Sequence, residues 1–147
     1  MDFSSLSITT SINGVTAYEI TLNVTKDESI AFDIYTGTND IPVKIVSGDW
    51  DTTIVTGTDW TETMNFYAHA DSIVIYGDVI GFDCNGNNLN IIGLDASHNE
   101  LLEVLYCDSN DLTFLDVSGC TKLEDLSCYE NSLTTLDLSS FDTSSVT

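Results

Sequence analysis

A repeat of 21 residues in the second half of the chain constrains the fold more than any other feature of the sequence. Ten positions recur 21 residues later, eight with the same amino acid and two with another apolar residue. The first set is Leu102, Leu105, Cys107, Asn110, Leu112, Leu115, Asp116, Val117, Ser118 and Cys120. A fixed period of this length indicates stacked supersecondary units, because one such unit cannot bury its own apolar face.

The repeat continues towards the N-terminus with a small insertion. The offset is 23 residues for Phe82, Cys84, Asn87 and Leu89, whereas residues 94 to 99 match positions 21 residues later. We therefore expect two extra residues near 91 to 93. Each unit holds two short apolar clusters, and these leave too little chain for a strand and a full helix. Asn110 and Asn131 lie between the clusters of their units, where a buried amide can bond the free backbone groups of a turn. The sequence predicts two extended segments per unit and about three units.

This pattern resembles the short leucine-rich repeats of bacterial surface proteins, the IRREKO-like class. Its unit reads Leu-x-x-Leu-x-Cys/Leu-x-x-Asn-x-Leu-x-x-Leu-Asp-Leu-x-x-Asn/Cys. Residues 102 to 122 and 123 to 141 match this unit closely, and residues 80 to 101 match it with the insertion. The resemblance covers residues 73 to 147. It implies a solenoid that binds other macromolecules, and it implies no one ligand.

The first half of the chain has the alternating pattern of half-buried strands. Residues 17 to 24 and 29 to 36 alternate, with Ile20, Leu22 and Val24 on one inward face and Ile30, Phe32 and Ile34 on another. Shorter strands are predicted at 43 to 46, 54 to 56 and 63 to 68. The expected fold is all-β: a small antiparallel β-sandwich-like unit at residues 1 to 72, acting as a cap or docking domain, followed by a leucine-rich-repeat β-solenoid at residues 73 to 147.

The charge of the chain restricts its partners. Twenty-four carboxylates against three lysines and no arginine give a net charge of −21. Nucleic acid is excluded as an expected partner, because phosphate contacts need Lys or Arg. No segment approaches the roughly 20 apolar residues of a membrane span, and the N-terminus lacks the pattern of a secretory signal. We expect cytoplasmic synthesis, no membrane insertion, and a protein partner or self-association.

Two ladders of chemically active residues recur with the repeat. One position of the repeat unit is a cysteine in three successive units: Cys84, Cys107 and Cys128. The spacings between these cysteines are much longer than the Cys-x-x-Cys spacing of a zinc site. We interpret them as buried apolar side chains, with a thiol metal site or disulfide pairing as the alternative. The second ladder is Asp95, Asp116 and Asp137. These carboxylates either accept backbone N–H groups in turns or collect Ca²⁺. We predict no cofactor, and calcium binding stays open.

The sequence offers few residues and motifs of the kinds used in catalysis. His69 and His98 are the two histidines, and they lie in different halves of the chain. No phosphate loop, nucleophile elbow, dinucleotide fingerprint or zinc-protease motif is present. The sequence therefore predicts a protein that is not an enzyme.

A binding face is predicted on the repeat strands. Residues between and after the inward Leu105 and Cys107 are expected to point outwards, together with their equivalents one unit away. The predicted binding residues are Asp83, Asn85, Val104, Tyr106, Asp108, Asp125, Ser127 and Tyr129. The two tyrosines with flanking acids would form a flat, acidic, aromatic surface. An ordinary exposed sheet face is the alternative interpretation.

Two functions follow from these observations. The first is a structural subunit, an oligomer or part of a larger assembly, that docks through its first half and through the open solenoid end near Phe141. Its most concrete form is a phage decoration, fibre or attachment protein of the virion. The second is a bacterial surface or secreted leucine-rich repeat domain that binds a host protein or glycan through the sheet face.

Overall fold

The computed structural model describes residues 11–12, 15–16 and 18–140, and every regular element within them is a strand. The predicted all-β class is confirmed. The strands are β1 (Ser11–Ile12), β2 (Val15–Thr16), β3 (Glu19–Val24), β4 (Ser29–Tyr35), β5 (Ile41–Ser47), β6 (Trp50–Thr56), β7 (Met64–Tyr67), β8 (Ser72–Tyr76), β9 (Gly81–Asp83), β10 (Ile91–Asp95), β11 (Val104–Tyr106), β12 (Phe114–Asp116) and β13 (Asp125–Ser127). Among the described residues, no helix is long and apolar enough to cross a membrane.

The alternating pattern of the first half forms the strands that it predicts. All six apolar residues expected to face inwards from β3 and β4 are buried, because alternate side chains of a strand share a face. The shorter predicted strands correspond to β5, β6 and β7, and β5 and β6 are longer than predicted. The dipeptide Asn13-Gly14 also predicts a turn, and these two residues lie outside those that the structure describes.

Most of the strands belong to two mixed sheets. The six-stranded sheet has the order β12-β10-β3-β8-β5-β6, and the five-stranded sheet has the order β13-β11-β9-β4-β7. Buried residues from both sheets form one hydrophobic cluster. Within this cluster, the ring of Phe32 stacks on that of Phe66 with centroids 4.5 Å apart and lies 5.3 Å from that of Phe82. β4 thereby packs with β7 and β9, its neighbours in the same sheet.

Consecutive strands of the second half alternate between the two sheets. β9, β11 and β13 pair in parallel in the five-stranded sheet, whereas β10 and β12 pair in parallel in the six-stranded sheet. Leu105 lies opposite Phe82 and Leu126, which are its equivalents in the sequence repeat. The strand pairing therefore follows the repeat. The leucine-rich-repeat solenoid itself stays a prediction.

The insertion between the first two units lies earlier than we predicted. Leu89 was expected to match the buried Leu112, but Leu89 is 61% exposed and Ile91 is fully buried. Asn88 and Leu89 both have positive φ, 50° and 67°, so the chain turns at the inserted residues and places them in solvent. Gly93 then pairs with Phe114, 21 residues later, so from this strand onwards the pairing has the period of the repeat.

Asparagines at equivalent positions join the turns of neighbouring units. The Asn110 amide is buried, and its Nδ2 donates to the carbonyl oxygens of Cys84, Cys107 and Asp108 at 2.9, 3.2 and 3.1 Å. Its Oδ1 accepts the N–H of Asn87 at 3.2 Å. The predicted role of this residue, to bond backbone groups of a turn, is confirmed, as buried backbone polar groups require partners.

Neither sheet is interrupted at the boundary that we predicted after residue 72. β3 pairs with β8 on one side and with β10 on the other, and β4 pairs with β9. Strands of the first half thus cover the edges of the first repeat strand in each sheet. The division into two domains stays a prediction.

The last described unit is less well covered than the units before it. Leu112, Leu115 and Val117 are buried in their unit, whereas the equivalent Leu133, Leu136 and Leu138 are only partly buried. Residues 128 to 136 line a groove of about 430 Å³ at this end. Phe141, to which we assigned the open solenoid end, lies outside the described residues.

Candidate interaction surface

Five of the eight predicted binding residues meet on one face of the five-stranded sheet. The register aligns Asp83, Tyr106 and Ser127 in one row across β9, β11 and β13, and Gly81, Val104 and Asp125 in the next. Strand β4 adds Asp33 to the first row and Tyr35 to the second. We call this surface the outer face, defined by Asp33, Tyr35, Asp83, Val104, Tyr106, Asp125 and Ser127.

Three aromatic rings lie together on the outer face. The ring of Tyr35 meets that of Trp60 edge-on, with centroids 4.6 Å apart and an interplanar angle of 79°. Trp60 and Tyr106 lie nearly parallel, at 22°, with centroids 6.2 Å apart. We call Tyr35, Trp60 and Tyr106 the aromatic cluster. Trp60 is 39% exposed, so part of the cluster is open to a partner.

A glycine makes room for this cluster. A Cβ added at Gly81 would lie 1.8 Å from Cε1 of Tyr35. The ring of Tyr35 therefore crosses β9 at Gly81, where the absence of a side chain leaves room for it. Because Gly81 is the neighbour of Tyr35 in the sheet, β9 determines where the ring of Tyr35 lies.

A hydrogen bond fixes an acid beside the cluster. The hydroxyl of Tyr106 donates to Oδ2 of Asp125 at 2.6 Å, between neighbouring strands. This bond, with burial and with the charges of Asp125 and Asp83, raises the pKa of Tyr106 to about 12. Burial, together with the charges of Glu103 and Asp125, also raises the pKa of Tyr35. Both tyrosines thus stay neutral at physiological pH, in a field made by carboxylates.

Carboxylates crowd the first row of the outer face. Burial raises the pKa of Asp83, and the charges of Asp33 and Asp108 raise it further, against the opposing effect of the N–H that Asn85 donates at 3.0 Å. Oδ1 of Asp33 is buried and has no hydrogen-bond partner among the described residues. This row is therefore rich in negative charge, which no ion pair among the described residues compensates.

Asp108 has a different role from the one that we predicted. It was expected to point outwards, but it is 5% exposed. Its Oδ1 accepts the Ser127 hydroxyl at 2.7 Å and the Tyr129 N–H at 3.0 Å. The carboxylate is therefore used to hold the following unit in place. Asn85 also makes a structural bond, accepting the Asp108 N–H at 2.7 Å, whereas the Tyr129 side chain is 63% exposed.

The cysteine ladder is part of the core. Cys84, Cys107 and Cys120 are buried, Cys128 is partly buried, and all four thiols are free. Burial raises the pKa of Cys84 and Cys107, and it raises the pKa of Cys120 to about 12. Neutral, buried thiols behave as small apolar side chains, so the interpretation as core residues is confirmed for Cys84 and Cys107, whereas Cys128 packs at the margin of the core.

The aspartate ladder closes turns. Asp95, Asp116 and Asp137 each accept, at 2.9 Å, the N–H of the serine two residues later. This is the local bond that competes with a metal for the carboxylate. Within the described part of the chain, no group of three or more His, Cys, Asp or Glu side chains is placed to hold a metal ion.

The two histidines have unrelated surroundings. His69 stacks on Trp50 with ring centroids 5.3 Å apart and also contacts Tyr67. His98 is exposed in the turn after β10. Neither lies among the residues of the outer face, so the site that the structure assembles is an aromatic and acidic surface.

Sequence reasoning missed two members of the aromatic cluster. Tyr35 was detectable, because it alternates with the inward Ile30, Phe32 and Ile34 and must point outwards. Trp60 gave no signal, since it lies in the irregular segment between β6 and β7 and only the fold brings it to Tyr106. Comparison of the chain with protein-family models, with curated proteins and with solved structures found no match.

Proposed function

We propose that this protein is a non-enzymatic interaction module that binds a partner protein through the outer face. The observation that carries the proposal is the aromatic cluster, which joins residues of both halves of the chain and leaves Trp60 39% exposed. Tyrosine and tryptophan dominate protein interfaces, because they bring large contact area with little conformational entropy. A partly exposed group of three such rings on a regular sheet is a favourable contact surface.

A comparison of two surface variants tests this proposal. Wild-type protein would be used to select binders from a random-peptide display library, and to probe an array of oligosaccharides. Bound ligands would then be measured against Trp60→Leu and against Phe114→Ser, which changes a 49% exposed aromatic residue on the six-stranded sheet. We expect peptide binders that Trp60→Leu weakens and Phe114→Ser leaves unchanged. Binders that depend on Phe114 alone, or no binders, would refute the proposal.

Assembly through the end of the repeat is a second candidate function, supported by a separate observation. Cys128, Leu133, Leu136 and Leu138 are partly exposed at positions that are buried in the preceding unit, and exposed apolar sheet ends favour pairing with another chain. The virion subunit predicted from the sequence is the specific form of this proposal. Its test is the solution mass.

Light scattering coupled to size-exclusion chromatography, at low and physiological salt, measures that mass directly. A net charge of −21 opposes self-association, and salt screens this repulsion. A defined oligomer that tightens as salt rises supports assembly through this end, provided that Leu136→Lys abolishes it. A 16.0 kDa monomer at both salt concentrations contradicts self-assembly.

A further inference from the structure

The charge around the aromatic cluster identifies the kind of group that it accepts. Tyr35 lies in the field of Glu103, Asp125 and Glu124, and Tyr106 lies in the field of Asp83 and Asp125. Among the described residues the one ion pair joins Lys44 to Asp51 at 3.1 Å, on β5 and β6 of the other sheet. No cation of this chain therefore neutralises the carboxylates of the outer face in the described structure.

Aromatic rings and carboxylates together select a cation of a particular shape. The face of an aromatic ring attracts a cation, and a guanidinium also stacks on the ring because it is planar. A carboxylate beside the ring offers oxygens that accept the N–H groups of the same guanidinium. Asp125 meets this requirement, since Tyr106 holds its Oδ2 and the other oxygen, Oδ1, accepts no hydrogen bond from the described residues.

We propose that Trp60, Tyr106 and Asp125 form a subsite for an arginine side chain on an extended segment of the partner protein. The guanidinium stacks on the open part of the cluster and donates to Asp125 Oδ1. This inference rests on the proposed binding function of the outer face, and it adds the chemistry of the partner. The overall charge of −21 favours the same partner, because it attracts cationic segments and repels acidic ones.

The test compares two peptides whose planar side-chain group is either a charged guanidinium or a neutral ureido group. One is an extended peptide of alternating valine and arginine, and the other carries citrulline, which keeps the planar shape of arginine and lacks its charge. Binding is measured by isothermal titration calorimetry at physiological salt. We expect the arginine peptide to bind the wild-type protein about tenfold more tightly than the citrulline peptide, as for a charge-assisted bond (about 1.4 kcal/mol).

Matched variants separate this subsite from the general attraction of an acidic protein. Asp125→Asn and Asp49→Asn each remove one negative charge, and Asp49 lies in the exposed turn between β5 and β6 of the other sheet. Trp60→Leu removes the ring face, and Tyr106→Phe keeps its ring while removing the bond that orients Asp125. We expect Asp125→Asn and Trp60→Leu each to weaken arginine-peptide binding about fivefold, and Asp49→Asn to leave it within about twofold.

Each outcome supports or overturns the inference. Equal losses for Asp49→Asn and Asp125→Asn would show a non-specific electrostatic effect and overturn it. Equal binding of the arginine and citrulline peptides would overturn the arginine subsite while leaving the interaction surface intact, if Trp60→Leu still weakens both. Binding of neutral oligosaccharides that Trp60→Leu abolishes would overturn it in favour of a glycan partner. If Trp60→Leu does not fold, as judged by circular dichroism, the comparison of Asp125→Asn with Asp49→Asn decides the result.

Discussion

Replacing the buried Asn110 by alanine tests how the repeat units are joined. The three carbonyl oxygens that its Nδ2 contacts each keep another donor: Asn87 Nδ2 for Cys84, Asn131 Nδ2 for Cys107 and the Gly86 N–H for Asp108. The N–H of Asn87 is the group that loses its partner. An unsatisfied buried donor costs about 1–3 kcal/mol, and the space left by the amide adds about 1 kcal/mol. We expect Asn110→Ala to lower the free energy of unfolding by about 2–4 kcal/mol.

The same change one unit later is the matched control. Asn131 Nδ2 also donates to three carbonyl oxygens, and its Oδ1 accepts the N–H of Leu112 at 2.9 Å. Asn131 is partly exposed, however, so water can replace the lost bonds. We expect Asn131→Ala to cost about 1 kcal/mol. The two variants therefore remove the same chemical group and the same number of bonds, and they differ in burial.

Urea unfolding followed by tryptophan fluorescence gives both free energies. A third variant, Asn110→Asp, keeps the size of the side chain but directs a carboxylate at carbonyl oxygens. Asn110→Asp should lower the free energy of unfolding more than Asn110→Ala does at neutral pH. This loss should become smaller on acidification, because the protonated acid regains a hydrogen-bond donor. If Asn131→Ala costs as much as Asn110→Ala, the argument from burial is refuted.

Two further predictions use single contacts. Gly119→Ala should destabilise the protein by about 3 kcal/mol or more, because its Cβ would lie 1.7 Å from the Ser97 carbonyl oxygen. Gly86 has a φ of +70° and nothing within 4 Å of an added Cβ, so Gly86→Ala should cost about 1 kcal/mol. Thermal melting of both variants checks this order. Neutral Tyr106 should stabilise the fold below pH ~10, the usual tyrosine pKa, and this contribution should be lost as the pH rises through its folded pKa of about 12. Asp125→Asn should move that pKa back towards 10, which an ultraviolet titration of tyrosinate would show; an unchanged titration would contradict the role of the Tyr106–Asp125 bond.

The features that the sequence predicted best are those decided by repetition. A residue recurring at a fixed period is expected to stack on its equivalent. The burial of Cys84 and Cys107 and the turn bonds of Asn110 could therefore be predicted from spacing together with side-chain chemistry. The turn bonds of the aspartate ladder agree with the interpretation that these carboxylates accept backbone N–H groups. This bond also recurs with the repeat, since each Asp is followed two residues later by a Ser. Period and side-chain chemistry were sufficient there, because each contact lies between neighbouring units.

Contacts between distant segments could not be predicted in this way. Trp60 reaches Tyr106 through a loop of no regular pattern. β8, which falls at the start of the half that we assigned to the solenoid, lies inside the six-stranded sheet between β3 and β5. Leu89 was misplaced because Ile91 is an equally apolar candidate two residues away. In each case several pairings satisfied the pattern, and the choice depended on packing of the whole chain.

The pairing of β3 with β10 and of β4 with β9 leads to a last prediction, that both halves of the chain unfold together. Both tryptophans, Trp50 and Trp60, lie in the first half, and all four cysteines lie in the second. Fluorescence and thiol labelling thus report separately on the two halves in one urea titration. Because strands of each half cover the edges of the other and share one core, we expect the fluorescence change and the labelling of the buried Cys84, Cys107 and Cys120 to have the same midpoint. The partly buried Cys128 serves as the internal control and should react first. Labelling of the buried thiols at lower urea than the fluorescence change would mean that residues 1 to 72 are a separate domain, and that these pairings add little to the stability of the repeats.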